Sequence, residues 1–243
     1  MLVYIRAEYL KIRRTFTKQL FWLAPLLTMF MSFALMGGQY FQTGTYNWWY
    51  ILMLPGALTL ICAGIMMRDK RKLNYRAILG LPIQLEKVWY GKIGAAMILY
   101  LLTTIILFIG VGIGGVLFSA SLTWSEHALG SLLLYLSYLW QIPLCLFLTD
   151  RLGMIAAFIL NLPGNIASSV LLADTPLWWT VPYAIPARLM CAAIGVLPNG
   201  LPVPEGDVLL DKGVILPGVL ITLGLFVILS LLTMLPFRRR EVL

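Results

Sequence analysis

The sequence predicts an all-helical integral membrane protein with six transmembrane helices. Of its 243 residues, 60% are hydrophobic and only 12% are charged, and the mean hydropathy is +0.90. A soluble domain of this length usually carries about twice that charged fraction. Six apolar segments are also long enough to cross a hydrocarbon core, which takes about 20 helical residues.

The six predicted spans contain no Asp, Glu, Lys or Arg. They cover residues 19–36, 48–67, 93–118, 129–149, 153–172 and 214–236. A further apolar segment, residues 184–197, is shorter and contains Pro186 and Arg188. Segments of that length are more often re-entrant or interfacial than spanning. We therefore expect residues 173–213 to form an extracellular re-entrant segment, built as a pair of half-membrane helices, within a single transmembrane domain of residues 1–243.

The positions of the basic residues predict the orientation of the chain. Cytoplasmic loops of membrane proteins accumulate Lys and Arg. With six spans and a cytoplasmic N-terminus, all basic residues except Arg188 and Lys212 lie on the cytoplasmic side. These are five residues before the first span, seven in residues 68–92, Arg151 and the three of residues 238–240. We therefore expect both termini in the cytoplasm, and the net charge of +8 does not require nucleic acid as a partner.

Residues 1–18 are predicted to form an amphipathic helix. Apolar residues recur there at steps of three and four, at Leu2, Ile5, Tyr9, Ile12 and Phe16. Basic side chains project from the opposite face. A basic amphipathic helix lies along the membrane surface with its apolar side in lipid, so membrane lipid is an expected partner. A solvated anchor for the first span is the alternative.

Breaks within the predicted spans are the main polar features inside the membrane. Pro55-Gly56 lies in span two, Gln141 and Pro143 lie in span four, and residues 161–165, NLPGN, are expected to interrupt span five. The backbone groups that such breaks free must be satisfied by protein or by a water-filled cavity. Span three also carries four glycines, Gly110, Gly112, Gly114 and Gly115. They include one Gly-x-x-x-Gly pair, which would let another helix approach closely.

The sequence shows no signature of an enzyme or of a bound cofactor. It has no phosphate-binding glycine loop, no nucleophile elbow and no paired carboxylates at the membrane face. The three cysteines and His127 do not have the spacing of a metal site. Ion-coupled carriers bury ionisable groups near the membrane midplane, and the predicted spans contain none. The energy for active transport would therefore come from a partner protein.

Residues 68–92, RDKRKLNYRAILGLPIQLEKVWYGK, join spans two and three. Leu73, Tyr75, Ile78 and Leu79 could form the apolar side of a short helix, and Pro82 could begin the next helix. An exposed apolar helix of this kind is expected to dock into the groove of a partner. The alternative is a surface loop whose charge serves only to orient the protein.

Three stretches carry a resemblance to ABC-2-type permeases. They are AEYLKIRRTFTKQLFWLAPL, YNWWYILMLPGALTLICAG and KRKLNYRAILGLPIQLEKVWYGKI. Within that family the sequence looks specifically like the E-type permease subunits of lantibiotic-immunity ABC transporters, the MutE/EpiE group. The resemblance implies the ABC-2, or type V exporter, fold in a bacterial cytoplasmic membrane. It also implies that residues 1–18 are the connecting elbow helix and that residues 73–79 are a coupling helix.

In that family the coupling helix sits in a groove of a cytosolic ATPase. The expected docking residues are Lys72, Leu73, Tyr75, Arg76, Ile78, Leu79 and Pro82, and Asp150 and Arg151 would form a second, smaller contact. A dimer of ATPase subunits, which would bind the ATP, would work with this chain and a G-type permease to expel an antimicrobial peptide. The sequence leaves open the export of another amphiphile, such as a drug or lipid. It also leaves open a non-transporting sensor or assembly subunit and a membrane enzyme of unrecognised type.

Overall fold

The structure, a computed structural model, describes residues 1–71, 75, 80, 83–118 and 120–239. In that part of the chain the regular secondary structure is helical. The one exception is an isolated β-bridge between Val196 and Pro202. Six helical segments are long and apolar enough to cross a membrane. The predicted all-helical class with six spans is therefore confirmed.

Ten α-helices make up most of the described residues. They are α1 (Leu2–Ile12), α2 (Phe16–Met36), α3 (Phe41–Trp48), α4 (Leu54–Arg71), α5 (Leu85–Leu117), α6 (Trp124–Tyr138), α7 (Gln141–Leu152), α8 (Met154–Leu172), α9 (Ile185–Ile194) and α10 (Ile215–Arg238). The six candidate spans are Phe16–Met36, Gly38–Lys70, Leu85–Leu117, Trp124–Leu152, Met154–Leu172 and Lys212–Arg238. Most of them extend beyond the predicted limits, because a helix continues into the polar residues at the membrane surface.

Spans two and four form the interior of the bundle. In the most apolar window of each, 67% of the residues are buried, whereas the corresponding values are 22% for span five and 17% for span six. α4 packs against α2, α7 and α8, which places span two between the others. α8 and α10 consequently turn most of their apolar surface outward.

The glycines of span three allow a close helix contact. Gly114 and Gly115 of α5 face the side chains of Phe41 and Gln42 in α3, and a methyl group on either glycine would overlap those side chains. The Gln42 amide nitrogen also donates a hydrogen bond of 3.3 Å to the carbonyl oxygen of Val111. The predicted close approach at these glycines is confirmed.

Span two changes its helical type at its centre, and α8 compensates for that change. Residues Trp49–Met53 form a π-helical turn between α3 and α4. Asn165 of α8 donates hydrogen bonds to the carbonyl oxygens of Tyr50 at 3.1 Å and Ile51 at 3.0 Å. Asn161, one helical turn earlier, donates to the carbonyl oxygen of Pro55 at 3.3 Å. Protein groups therefore satisfy the freed backbone, which is one of the two possibilities that the sequence left open.

The expected interruption of span five is wrong. α8 runs without a break from Met154 to Leu172, with Pro163 inside it. Proline removes one backbone hydrogen bond, and membrane helices tolerate that loss when neighbouring groups compensate. Asn161 and Asn165 lie four residues apart on one face of this helix and are both fully buried, so the NLPGN segment works as an inward polar face.

The segment before the last span contains one short α-helix, followed by two 3-10 turns at Val208–Leu210 and Lys212–Val214. α9 is completely buried, and it ends at Gly195 in a left-handed conformation (φ +65°). Residues 173–184 form turns, so the predicted pair of half-membrane helices is wrong. Pro176 and Pro182 account for this difference, because proline disfavours a helical conformation in the residue before it. The buried guanidinium of Arg188 donates hydrogen bonds to backbone carbonyl groups of residues 208 and 209.

Candidate functional site

The end of the bundle that carries most of the basic residues brings together four parts of the chain. α1, the ends of residues 68–92, the α7–α8 connection and the end of α10 all meet there. We call it the basic end. Arg238 at the end of α10, for example, forms an ion pair of 2.8 Å with Glu86 at the start of α5. Tyr75 from the first predicted ATPase contact, and Asp150 and Arg151 from the second, lie at this end.

Tyr75 connects the two predicted contacts to each other. Its hydroxyl donates a hydrogen bond of 2.8 Å to Asp150 Oδ1, and its ring lies edge-on to Phe237, with 6.2 Å between the ring centroids. Lys70 Nζ donates a further hydrogen bond of 2.8 Å to the carbonyl oxygen of Asp150. Residues that the sequence assigned to separate contacts thus form one contact region.

The side chain of Tyr75 is covered by its own chain. It is 6% exposed, so its ring is turned towards Asp150 and Phe237 rather than outward to a partner. Its backbone has a positive φ of +67°, which costs a residue with a side chain about 1–2 kcal/mol. Such a conformation persists where surrounding contacts hold it. The geometry therefore indicates that Tyr75 anchors residues 68–92 to the bundle.

The remaining predicted contact residues divide into two groups. Lys72, Leu73, Arg76, Ile78, Leu79 and Pro82 lie outside the residues that the structure describes, and their docking role stays a prediction. Arg151 is described and exposed, and its guanidinium lies over the ring of Phe147 at 5.9 Å. It is therefore accessible to a partner, as the predicted second contact requires.

A buried cluster of four charges lies beside this contact region. Lys92 of α5 is fully buried and forms ion pairs with Glu8 Oε2 at 2.8 Å and with Asp69 Oδ2. Lys11 Nζ completes the cluster at 2.6 Å from Glu8 Oε1 and 3.0 Å from Asp69 Oδ1. Two carboxylates and two ammonium groups balance formally. The cluster joins α1, α4 and α5, and Asp69 and Lys92 tie together the two ends of residues 68–92.

The charges of this cluster support one another. Burial lowers the pKa of Lys11, but the carboxylates of Glu8 and Asp69 outweigh that effect and raise the pKa overall. Lys11 is consequently protonated at neutral pH. Burying an ion pair is favourable only when every charge finds a partner, and here each carboxylate contacts both lysines.

Sequence reasoning missed this cluster. The absence of ionisable residues holds for the predicted spans, but the observed helices are longer and include the buried Asp69 and Lys92. Glu8 offered a signal, because it falls on the same helical face as Ile5 and Ile12. A single acid on an apolar face often marks a buried partner of opposite charge.

The position of α1 also differs from the expectation. Ile12 is fully buried in protein, Tyr4 and Ile5 pack against glycines of α5, and Leu2 is 81% exposed. The predicted lipid-facing stripe is therefore wrong for Ile12, since the buried ion pairs turn that face inward. α1 ends at Ile12, and Phe16 already belongs to α2. The role of α1 as an interfacial elbow stays a prediction.

His127, the sole histidine, is buried in the first turn of α6. Its Nδ1 lies 2.7 Å from the Tyr46 hydroxyl, and its Nε2 lies 2.9 Å from the carbonyl oxygen of Phe108. Both ring nitrogens therefore have protein partners. In the described part of the chain, no group of three or more His, Cys, Asp or Glu side chains could hold a metal ion.

Comparison with known proteins identifies the family. The family described as ABC-2 family transporter protein matches residues 4–173. No curated protein matches the chain, and no solved structure matches it either. The family match covers more than half of the chain, from α1 through α8, and includes Tyr75, Asp150 and the buried charge cluster. ABC-2 permeases are the membrane components of transporters and are not themselves catalytic, and the family implies an ABC ATPase as partner. The chain belongs to the ABC-2 transporter family and is a multi-pass membrane permease.

Proposed function

We propose that this chain is the permease subunit of an ATP-driven exporter that expels lantibiotic-type antimicrobial peptides from a bacterial membrane. Export would give the cell immunity or resistance. The ABC-2 family supports a transport role, and the resemblance of the first hundred residues to E-type subunits supports the peptide substrate. In this proposal a cytosolic ATPase dimer and a G-type permease complete the complex, and both termini of this chain are cytoplasmic.

The observation that carries this proposal is the contact between Tyr75 and Asp150. An ATPase that moves residues 73–79 can perform work on the bundle only if those residues are connected to the spans. The hydrogen bond from Tyr75 to Asp150 connects them to the end of α7, and the contact with Phe237 connects them to α10. Force on this segment would therefore reach spans four and six directly.

The buried charge cluster adds a second connection. The ion pair of Asp69 and Lys92 holds the start of α5 against the end of α4, and Glu8 and Lys11 attach α1 to both. The two ends of residues 68–92 are thus held next to each other. A displacement of this segment by an ATPase would move spans two and three together with α1, which is what coupling of ATP hydrolysis to transport requires.

The outward surfaces of α8 and α10 fit the need for a membrane partner. Few residues of these two spans are buried within the bundle, and their apolar side chains would lie against lipid or against the second permease. An exporter of amphiphilic peptides is expected to form its path between two permease subunits. These faces are the surfaces of this chain with which that path could be built.

A survival assay combined with co-purification tests the proposal. Deletion of the gene should sensitise the cell to one or more peptides of a lantibiotic panel, and the intact gene should restore resistance. The Leu79→Asp variant should lose the ATPase during purification, because burial of one leucine in a partner contributes roughly 1.5–3 kcal/mol, or at least about tenfold in affinity. Its amount in the membrane should remain normal.

The controls separate this function from its alternatives. A variant with Lys70, Arg71 and Lys72 changed to Gln should retain the ATPase if docking depends on apolar contacts, and should lose correct insertion if the segment only orients the protein. Resistance should survive collapse of the proton gradient at constant ATP. Loss of resistance under those conditions would argue against ATP-driven export. Sensitivity to drugs instead of peptides in the deletion strain would indicate another amphiphile.

A further inference from the structure

A crevice of about 320 Å³ opens at the basic end between α2, α4 and α8. Its walls are apolar, with Leu20, Leu60 and Met67 among them, and its rim carries Thr15 and Arg68. An apolar groove beneath a polar rim is chemically complementary to an amphiphile. The crevice is separate from the contact of Tyr75 with Asp150.

Arg68 is the charged group that lines the crevice, and it has no partner in the described part of the chain. Its Nε is shielded from solvent without a hydrogen bond, and no ion pair involves this residue. Lys70, two residues later, donates to the carbonyl oxygen of Asp150. A shielded N–H without an acceptor is unfavourable, so the Nε of the half-buried Arg68 lacks an acceptor that a ligand can supply.

The backbone around the crevice also favours an anion. α2 begins at Phe16 and α8 begins at Met154, and both residues line the crevice. Neither helix has a side-chain hydrogen bond that caps its N-terminus. Uncapped N-termini present unsatisfied N–H groups and the positive end of the helix dipole. Two such ends together with Arg68 converge on one opening.

The floor of the crevice is formed by a close contact of α2 with α4. Gly64 allows the side chain of Thr17 to lie directly against α4, because a methyl group there would overlap it. Leu60 lies one turn further into the span, and Leu20 lies beside it on α2. The apolar wall therefore continues from the rim towards the membrane interior, in the direction that an acyl chain follows.

We propose that this crevice binds an anionic phospholipid, with the headgroup phosphate at Arg68 and an acyl chain along Leu20 and Leu60. A free phosphate ion shares the headgroup chemistry but cannot use the apolar wall. Basic pockets between membrane helices are known to favour anionic headgroups. The site would hold lipid whatever substrate the transporter exports.

The test measures lipid binding to the purified full-length protein in neutral detergent. Native mass spectrometry counts bound phosphatidylglycerol or phosphatidylcholine over a titration. The intact protein should bind phosphatidylglycerol more tightly than phosphatidylcholine. Arg68→Gln should weaken phosphatidylglycerol binding about tenfold, as expected for the loss of a hydrogen bond to a charged group. Arg239→Gln, an exposed basic residue at the same end, should leave binding unchanged.

A second variant tests the apolar part of the site. Leu60→Trp should fill the crevice and weaken lipid binding while it leaves Arg68 in place, and its elution on size exclusion should match that of the intact protein. If Arg68→Gln does not fold, the Leu60→Trp result decides. Equal losses in Arg68→Gln and Arg239→Gln would overturn the proposal, and so would equal binding of the two lipids. Displacement of the lipid by millimolar inorganic phosphate would reduce the site to an ion site and overturn the lipid assignment.

Discussion

Replacement of Lys92 by Met should destabilise the protein strongly. Lys92 is fully buried, and its ammonium group pairs with Glu8 and Asp69, whose side chains are 4% and 7% exposed. The substitution would leave these two carboxylates with Lys11 alone among the described residues. Loss of one partner from a buried ion pair costs about 3–5 kcal/mol. In a chain of this length that corresponds to a fall of roughly 10 °C in the midpoint of thermal unfolding.

The assay is thermal unfolding of the detergent-purified protein, followed by tryptophan fluorescence. Lys87→Met is the matched control, since it removes an exposed lysine from the same helix and should leave the midpoint unchanged. The double variant Lys92→Met with Asp69→Asn restores charge balance, because one carboxylate then remains with Lys11. It should recover most of the lost stability.

Two outcomes would refute this reasoning. If Lys92→Met unfolded at the same temperature as Lys87→Met, the cluster would not hold α1, α4 and α5 together. If the double variant were less stable than Lys92→Met, the loss would come from packing around Lys92 and not from an uncompensated charge. A recovered midpoint in the double variant is the specific signature of the ion cluster.

Three further outcomes are expected. Tyr75→Phe removes the hydrogen bond of 2.8 Å to Asp150 but keeps the ring, so resistance to peptide should fall while the membrane level of the protein stays normal; full resistance would show that the hydroxyl does not transmit force. Asn165→Ala removes two hydrogen bonds to carbonyl groups of the π-helical turn, of which only that of Tyr50 keeps another side-chain donor, the Tyr138 hydroxyl. The substitution should cost about 1–3 kcal/mol, which a lowered unfolding midpoint would reveal and an unchanged midpoint would contradict. A cysteine at Ser125 should react with an impermeant label in intact cells and a cysteine at Glu241 should not, because the basic end is predicted to be cytoplasmic; labelling at Glu241 would overturn the topology.

The number of spans could be predicted because each one depends on local sequence. A run of about 20 apolar residues forms a spanning helix whatever its neighbours are, and each predicted span overlaps an observed one. The rejection of residues 184–197 as a span rested on length and on Arg188. The structure agrees, because α9 is a short buried helix whose arginine bonds to nearby carbonyl groups.

The buried charges could not be predicted in the same way, because they depend on contacts between distant residues. Lys92 stands at the edge of an apolar run, where a lysine can either reach the membrane surface or turn inward. Only the tertiary contact with Glu8 and Asp69 decides between these orientations. Tyr75 is a similar case, since its apolar ring and its place in a basic segment suggested a partner, whereas Asp150 and Phe237 bind it within the chain.

The sequence predicted that polar groups within the spans need hydrogen-bond partners, but it did not predict which groups pair. The breaks in span two required hydrogen-bond donors from another element, and the sequence offered Asn161 and Asn165 near a proline. That proline suggested a second break. The two asparagines are four residues apart and face the same neighbour, so a continuous α8 satisfies its own polar residues and the carbonyl groups of span two together.

The buried charge cluster also constrains when α1 can reach its final position during synthesis. Glu8 and Lys92 are 84 residues apart in the chain, and translation adds about 5–20 residues each second. At about 5–20 residues per second, α1 waits roughly 4–17 seconds before its lysine partner on α5 exists. During that interval Lys11, three residues from Glu8, is the partner that the nascent chain already has. The first helix can therefore rest at the membrane surface while spans one and two insert, and it becomes fixed only when the third span begins to emerge.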